Sequence, residues 1–207
     1  MKLILFGGAE LDRGHGPLLK ELIKQAIVDI HPESVLHVPF ARLHPHEEMF
    51  KEGWFKEVMA DTGIKILDAR VEADLKKANH SLVFINGGHG KQDLIQELNT
   101  NVQLATVIKN AKYIIAESAG SEIMGEYLRV DSCGEKIAKG LGILKNTIIE
   151  PHYSEKSREQ LLINEMENFH IKNGIGIDCV TGIVVNPTKF PAKWNKVGYG
   201  NIDVKEC

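Results

Sequence analysis

Cysteine is scarce in this chain of 207 residues: Cys133, Cys179 and Cys207 are scattered and odd in number. They make neither a disulfide framework nor a metal-binding pair, so the expected compartment is the reducing cytoplasm. Lysine and arginine form no basic stripe, and the net charge is −3 with neutral histidines. Neutralising a phosphate backbone needs clustered cations, so nucleic acid is not expected as a partner. No apolar run approaches a membrane span, and the run at Lys2–Phe6 is too short for a signal-peptide core; no membrane partner is expected. Internal repeats, low-complexity tracts and Pro/Ser-rich linkers are absent, so one domain over residues 1–207 is the expected organisation. At that length a single hydrophobic core suffices without a disulfide or metal staple.

What is present alternates. Short apolar runs rich in β-branched residues occur at Lys2–Phe6, Ser34–Phe40, Ile64–Asp68, Ser81–Asn86, Tyr113–Ala116 and Thr147–Glu150. Each is too short for a helix and reads as a strand buried on both faces. Segments with helical spacing lie between most of them: Pro17–Ile30, Met49–Met59, Gln92–Lys109, Ser121–Leu128 and Glu155–His170. In Pro17–Ile30, apolar residues recur at i, i+3 and i+4 through Leu18, Leu19, Leu22, Ile23, Ala26 and Ile27. This alternation predicts an α/β fold with a doubly wound, mostly parallel sheet flanked by helices. After residue 173, Gly176–Ile177, Gly182–Asn186 and Val197–Val204 predict added short C-terminal strands that join the sheet antiparallel or cover an edge.

In such folds ligands sit beyond the carboxyl ends of the strands, and three strand-end loops carry chemistry. Glu117-Ser118-Ala119-Gly120 follows a strand and opens a helix. It matches the nucleophile elbow G-x-S-x-G with Ala116 at the first glycine. Such a turn exposes Oγ and sets it at a helix N-terminus, where the Ala119 N–H can stabilise an oxyanion. A plain helix start capped by Ser118 is the competing reading. Asn86-Gly87-Gly88-His89 lets the backbone approach a substrate, with Gly88 as the second oxyanion donor. A tight turn is the second reading, and a catalytic His89 is the third. The loop matches neither the P-loop nor the dinucleotide fingerprint. His152 ends a third strand after Pro151 and can take and return a proton.

With these loops in hand, the sequence resembles the aspartyl dipeptidase (peptidase E) and cyanophycinase family of serine peptidases. The ordered set is Asn86-Gly87-Gly88, Ser118-Ala119-Gly120 and Pro151-His152-Tyr153. Val38-Pro39-Phe40, Ser157-Arg158-Glu159-Gln160 and Gly176-Ile177-Asp178 add to it. The resemblance runs from residue 2 to about residue 187. It implies a class I glutamine amidotransferase-like fold and a catalytic triad of Ser118, His152 and an acid. Asp131 stands at the family's distance before His152, with Glu126 and Glu135 as rivals. The resemblance also implies that Arg158 meets a substrate carboxylate, as a guanidinium fork suits that group.

Five positions depart from the family pattern. His89 stands where Asn or Asp is usual, Glu117 precedes the serine, Ser121-Glu122 replaces Ala-Asn or Ala-Gly, and Cys179 stands where cyanophycinases often carry Glu. These leave specificity for N-terminal aspartate open. The expected function is a serine peptidase hydrolysing a small peptide, with an aspartyl dipeptide as one candidate, through an acyl-enzyme on Ser118. Competing classes are a glutamine amidotransferase-like amide hydrolase, which requires a cysteine at position 118, and a non-catalytic binding module. No cofactor and no metal are expected. The His44-Pro45-His46-Glu47-Glu48 run lacks helical ligand spacing, and Glu72 with Asp74 reads as a surface loop. A monomer or homodimer fits this reading.

Overall fold

The structure is a computed structural model and describes residues 1–42, 53–130 and 134–207. Its strands are β1 Lys2–Phe6, β2 Ser34–Val38, β3 Lys65–Asp68, β4 Leu82–Ile85, β5 Tyr113–Glu117, β6 Gly125–Arg129, β7 Ile137–Lys139, β8 Leu144–Pro151, β9 Asn173–Ile177, β10 Thr181–Val185, β11 Trp194–Gly198 and β12 Ile202–Glu206. Its helices are α1 His15–Val28, α2 Trp54–Met59, α3 Glu72–Leu75, α4 Lys91–Thr100, α5 Val102–Asn110, α6 Ala119–Glu122 and α7 Glu159–Asn168.

The strands form two sheets. The larger runs β11-β10-β1-β5-β4-β2-β3, and its five β1–β5 strands are parallel. Strands β10 and β11 add to it antiparallel, as the tail pattern predicts, whereas Gly176–Ile177 ends β9, which runs parallel to β8 in the other sheet. Side chains alternate across this sheet: Leu3 and Leu5 enter one core while Ile4 and Phe6 enter the other. The second core is built by Leu19, Ile23 and Ile27 of α1 and Trp54 and Phe55 of α2. A strand covered on both faces has no solvent side, which is why these runs are apolar throughout.

The second sheet, β12-β9-β8-β6-β7, departs from the sequence reading. Thr147–Glu150 belongs to β8, outside the main sheet, and the segment read as helix Ser121–Leu128 is one short helix followed by β6. Gly125 and the pair Tyr127 and Leu128 serve strand pairing here, since β6 pairs with both β7 and β8. The stretch Gln92–Lys109 is two helices, because the Asn101 side chain accepts the Leu104 N–H at 3.0 Å and restarts the helix. Val197–Val204 is split between the two sheets. The first part of the Met49–Met59 helix lies outside the described residues, as do His44, His46, Glu47 and Glu48.

Register positions the functional loops. In the β1–β5 pair, Phe6 faces Glu117, so Gly7 and Ser118 leave the sheet side by side. In the β4–β5 pair Ile85 faces Ala116, which brings Asn86-Gly87-Gly88 alongside. Asn86 is anchored from below: its N–H donates to Val38 O at 3.1 Å, and its Oδ1 lies 3.1 Å from His37 Nε2.

His37 is buried against Phe55 and Phe84, and burial holds its imidazole down at about 4 despite the Asn86 bond and the nearby Asp68. A histidine kept neutral in the fold but free to charge when unfolded withdraws stability as pH falls from 6.5 toward 4, by about 3 kcal/mol in full. Urea unfolding followed from pH 7 to pH 4 checks this. The His37→Gln variant should lose less stability over that window than the parent, and parallel curves would contradict it.

Candidate active site

The floor of the site is the elbow between β5 and α6. Ser118 has φ 49° and ψ −117°, a backbone conformation that side-chain-bearing residues rarely hold. The strain is held by flanking bonds. Ser118 N–H donates to Phe6 O at 2.9 Å, and Ser118 O accepts the Ser121 and Glu122 N–H groups at 2.8 and 3.0 Å. The Ser121 hydroxyl donates to Phe6 O at 2.8 Å. Ser118 therefore makes no side-chain cap of its helix, and Oγ turns instead to His152 Nε2 at 3.2 Å.

His152 arrives from the other sheet. It leaves β8 with φ 50°, and its N–H donates to Gly7 O at 3.0 Å. Burial first, then the Lys156 cation, push its imidazole down to about 4 against the pull of Glu10. At neutral pH the ring is uncharged, the state in which Nε2 accepts a proton from a hydroxyl.

Nδ1, the far ring nitrogen, faces two groups that sequence reasoning did not bring there. Glu10 Oε1 lies 2.8 Å away, a close electrostatic contact rather than an aligned hydrogen bond. Cys179 Sγ lies 3.1 Å away in hydrogen-bonding geometry. Burial opposes ionisation of Glu10, but His152 and Lys156 outweigh it and keep its carboxyl low. Burial, then Glu155 and Glu10, push the Cys179 thiol up.

Above these groups lies a cavity of about 500 Å³ whose wall includes Ser118, Ala119, Gly88, His152 and Arg158. Five of the six predicted site residues thus share one cavity. The sixth, Asp131, lies outside the described residues. Of its rivals, Glu126 accepts the Asn146 N–H at 2.9 Å and pairs with Lys139, and neither it nor Glu135 is in the cavity wall.

The wall is strongly charged, and most of its cations meet carboxylates. Arg42 meets Glu117 at 2.6 Å, and Lys91 meets Glu122 at 2.6 Å. Arg158 Nη1 donates to Glu150 Oε2 at 3.1 Å and to Pro151 O at 2.8 Å. Arg129 joins Glu150 to Glu165, whose carboxyl burial and Glu150 push up to about 8. Two of the departures from the family pattern, Glu117 and Glu122, are therefore halves of buried ion pairs.

Of the missed residues, Glu10 had a local signal. Gly7-Gly8-Ala9-Glu10 follows β1 directly, a fourth strand-end loop and the third that carries glycine. Gly8 has φ 96°, and a Cβ there would stand 2.6 Å from His152 Nε2 and 3.1 Å from Ser118 Cβ.

A family model described as Peptidase family S51 matches residues 3–191. The chain belongs to peptidase family S51. It is thus a serine-type peptidase, a hydrolase. This S51 peptidase is 26% identical over 220 residues to a cyanophycinase of Geminocystis herdmanii (strain PCC 6308), covering 91% of this chain and 75% of the relative. A crystal structure of a peptidase from an acI-B1 Actinobacterium superposes with a TM-score of 0.70 at 20% identity, over 97% of this chain and 88% of that one. A Listeria monocytogenes EGD-e protein given the name peptidase E superposes with a TM-score of 0.64 at 16% identity, over 96% and 98%. The S51 peptidase therefore has the class I glutamine amidotransferase-like fold that its motifs imply.

Gly8 supplies a direct test of the site's close packing. Gly8→Ala should cost ~1–3 kcal/mol in stability through the positive φ. It should also cut turnover on the order of 10²-fold by displacing the imidazole. Gly14, at φ 71° with open space around it, is the control: Gly14→Ala should lose stability while keeping turnover. Equal turnover in the two variants, measured at a temperature where both are folded, would contradict the packing role.

Proposed function

We propose that this S51 peptidase hydrolyses a short peptide through an acyl-enzyme on Ser118, with His152 as general base and acid and Glu10 as the carboxylate that steadies His152. The single observation that carries this is the contact of the strained Ser118 with His152 Nε2 at 3.2 Å on the cavity floor. In the acylation step Oγ attacks the scissile carbonyl while its proton passes to Nε2. The imidazolium so formed returns the proton to the leaving amine. Glu10 at 2.8 Å from Nδ1 favours that transient positive charge. The tetrahedral oxyanion is assigned to the backbone N–H groups of Ala119 and Gly88, both in the cavity wall. Water then repeats the sequence on the ester.

The substrate reading rests on Arg158. It shares the cavity with Ser118, and its Nη1 is steadied by Glu150 and Pro151, which leaves a planar fork fixed in orientation. Such a fork favours a substrate with a side-chain carboxylate, and a cavity of about 500 Å³ suits a short peptide. The relative named cyanophycinase makes cyanophycin the second substrate to test.

Kinetics on a dipeptide panel varying the first residue, with cyanophycin alongside, check this reading. Asp-X should be preferred, and Arg158→Ala should raise KM for Asp-X by at least ~10-fold, narrowing the gap to uncharged dipeptides. Ser118→Ala should lower kcat by on the order of 10⁴-fold or more. Glu10→Gln should lower kcat by roughly 10²–10⁴-fold with a smaller change in KM. Asp131→Asn, made in parallel, should leave most of the activity. The reverse ranking of the last two variants would move the acid to Asp131.

A further inference from the structure

Three groups of different ligand chemistry converge on the back of the catalytic imidazole. Glu10 Oε1, His152 Nδ1 and Cys179 Sγ all lie within 4.8 Å of one another, and among the described residues they form the one such group. They come from three elements: the loop after β1, the end of β8 and the loop between β9 and β10. Thiolate, imidazole and carboxylate together suit zinc and not the hard cations, which take oxygen ligands alone.

The surroundings favour a cation of higher charge than the one nearby. Two carboxylate oxygens close to Cys179, Glu10 Oε1 and Glu155 Oε2, are buried without an aligned hydrogen bond. The other oxygen of Glu155 accepts the Cys179 N–H at 3.1 Å, which fixes that carboxylate beside the thiol. The cation that touches Glu10 is Lys156, whose Nζ is 3.5 Å from Oε1 and whose side chain is 47% exposed. That ammonium is flexible and half-solvated, whereas a bound Zn²⁺ would bring two positive charges into direct contact with its ligands. Zinc bonds of about 2.0–2.3 Å set tetrahedral ligand atoms roughly 3.3–3.7 Å apart. The observed 2.8 and 3.1 Å separations from Nδ1 need to open only slightly to reach that range.

We propose that Glu10, His152 and Cys179 form a Zn²⁺ site and that filling it switches the peptidase off. On binding, the Cys179 thiol releases its proton to solvent and the thiolate joins the ion. The imidazole gives its Nδ1 lone pair, so the single ring proton resides on Nε2. An Nε2–H donates toward Ser118 Oγ and no longer accepts its proton, and the nucleophile loses its base. The loss of activity rests on the proposed roles of Ser118 and His152; the binding of the ion does not.

The test uses the full chain stripped of metal with a chelator and titrated with Co²⁺ as a spectroscopic stand-in for zinc. One equivalent should bring a thiolate-to-cobalt charge-transfer band in the near ultraviolet and intense visible bands of a tetrahedral site, all lost on adding Zn²⁺. The charge-transfer band should vanish in Cys179→Ser and persist in Cys133→Ser and Cys207→Ser. Glu10→Gln should keep the band but weaken Co²⁺ binding by about ten-fold, which covers the case of a poorly folded Cys179 variant. In a parallel hydrolysis assay Zn²⁺ should inhibit the parent reversibly, and Cys179→Ser should raise the inhibiting concentration at least ~10-fold. No charge-transfer band, or a band unchanged in Cys179→Ser, overturns the site. A band without inhibition of an active parent overturns the switch. A chain that hydrolyses no peptide still reports the site through its absorption, so the two readings fail separately.

Discussion

Three consecutive carbonyls at the end of β1 hold this site together. Phe6 O accepts the Ser118 N–H and the Ser121 hydroxyl, Gly7 O accepts the His152 N–H, and Gly8 O accepts the Val180 N–H. The nucleophile loop belongs to the main sheet, whereas His152 and the loop carrying Cys179 come from or lead out of the second. Buried backbone carbonyls must find donors, and here that requirement ties the two sheets together beside the nucleophile. Each segment so held also carries a positive φ, at Ser118, His152 and Val180. Strain of that kind persists only where neighbours over-determine it, and the β1 exit supplies them.

This junction explains why glycines stand where they do. A side chain at Gly8 would enter the Ser118–His152 contact, and one at Gly87 would stand 2.6 Å from Ser118 Cβ. Strand ends that approach so closely leave room for backbone alone. Function then depends on charge as well as shape. The cavity wall carries several cations tied to buried carboxylates, so its rigidity comes from ion pairs such as Arg42–Glu117 and Lys91–Glu122 that cannot be broken singly without leaving a bare buried charge.

Much of this was legible in the sequence because it is local. The strands of the main sheet are short apolar runs whose faces are both buried, and Ser118, Gly88 and His152 each follow such a run directly. Arg158 was legible through its place in a family motif. The second sheet was not legible, because Thr147–Glu150 shows the same buried-strand pattern whichever sheet it joins. The β6 strand hid behind helical spacing in Ser121–Leu128, where a single turn of helix gives way to a strand at Gly125. Glu10 and Cys179 were missed as partners of His152 for a different reason. Positions 10, 152 and 179 meet only through the crossing of two sheets, and no spacing rule spans that. The same distance in sequence hides the proposed Glu10–His152–Cys179 metal group from any spacing rule.

The proposed chemistry depends on Ser118 acting as a nucleophile through its contact with His152. Incubation with a fluorophosphonate probe, followed by peptide mapping, tests it most directly. One covalent adduct is expected, on the peptide containing Ser118, absent in Ser118→Ala and strongly slowed in His152→Ala. Labelling at another residue, or an unlabelled chain that still hydrolyses peptides, would contradict it.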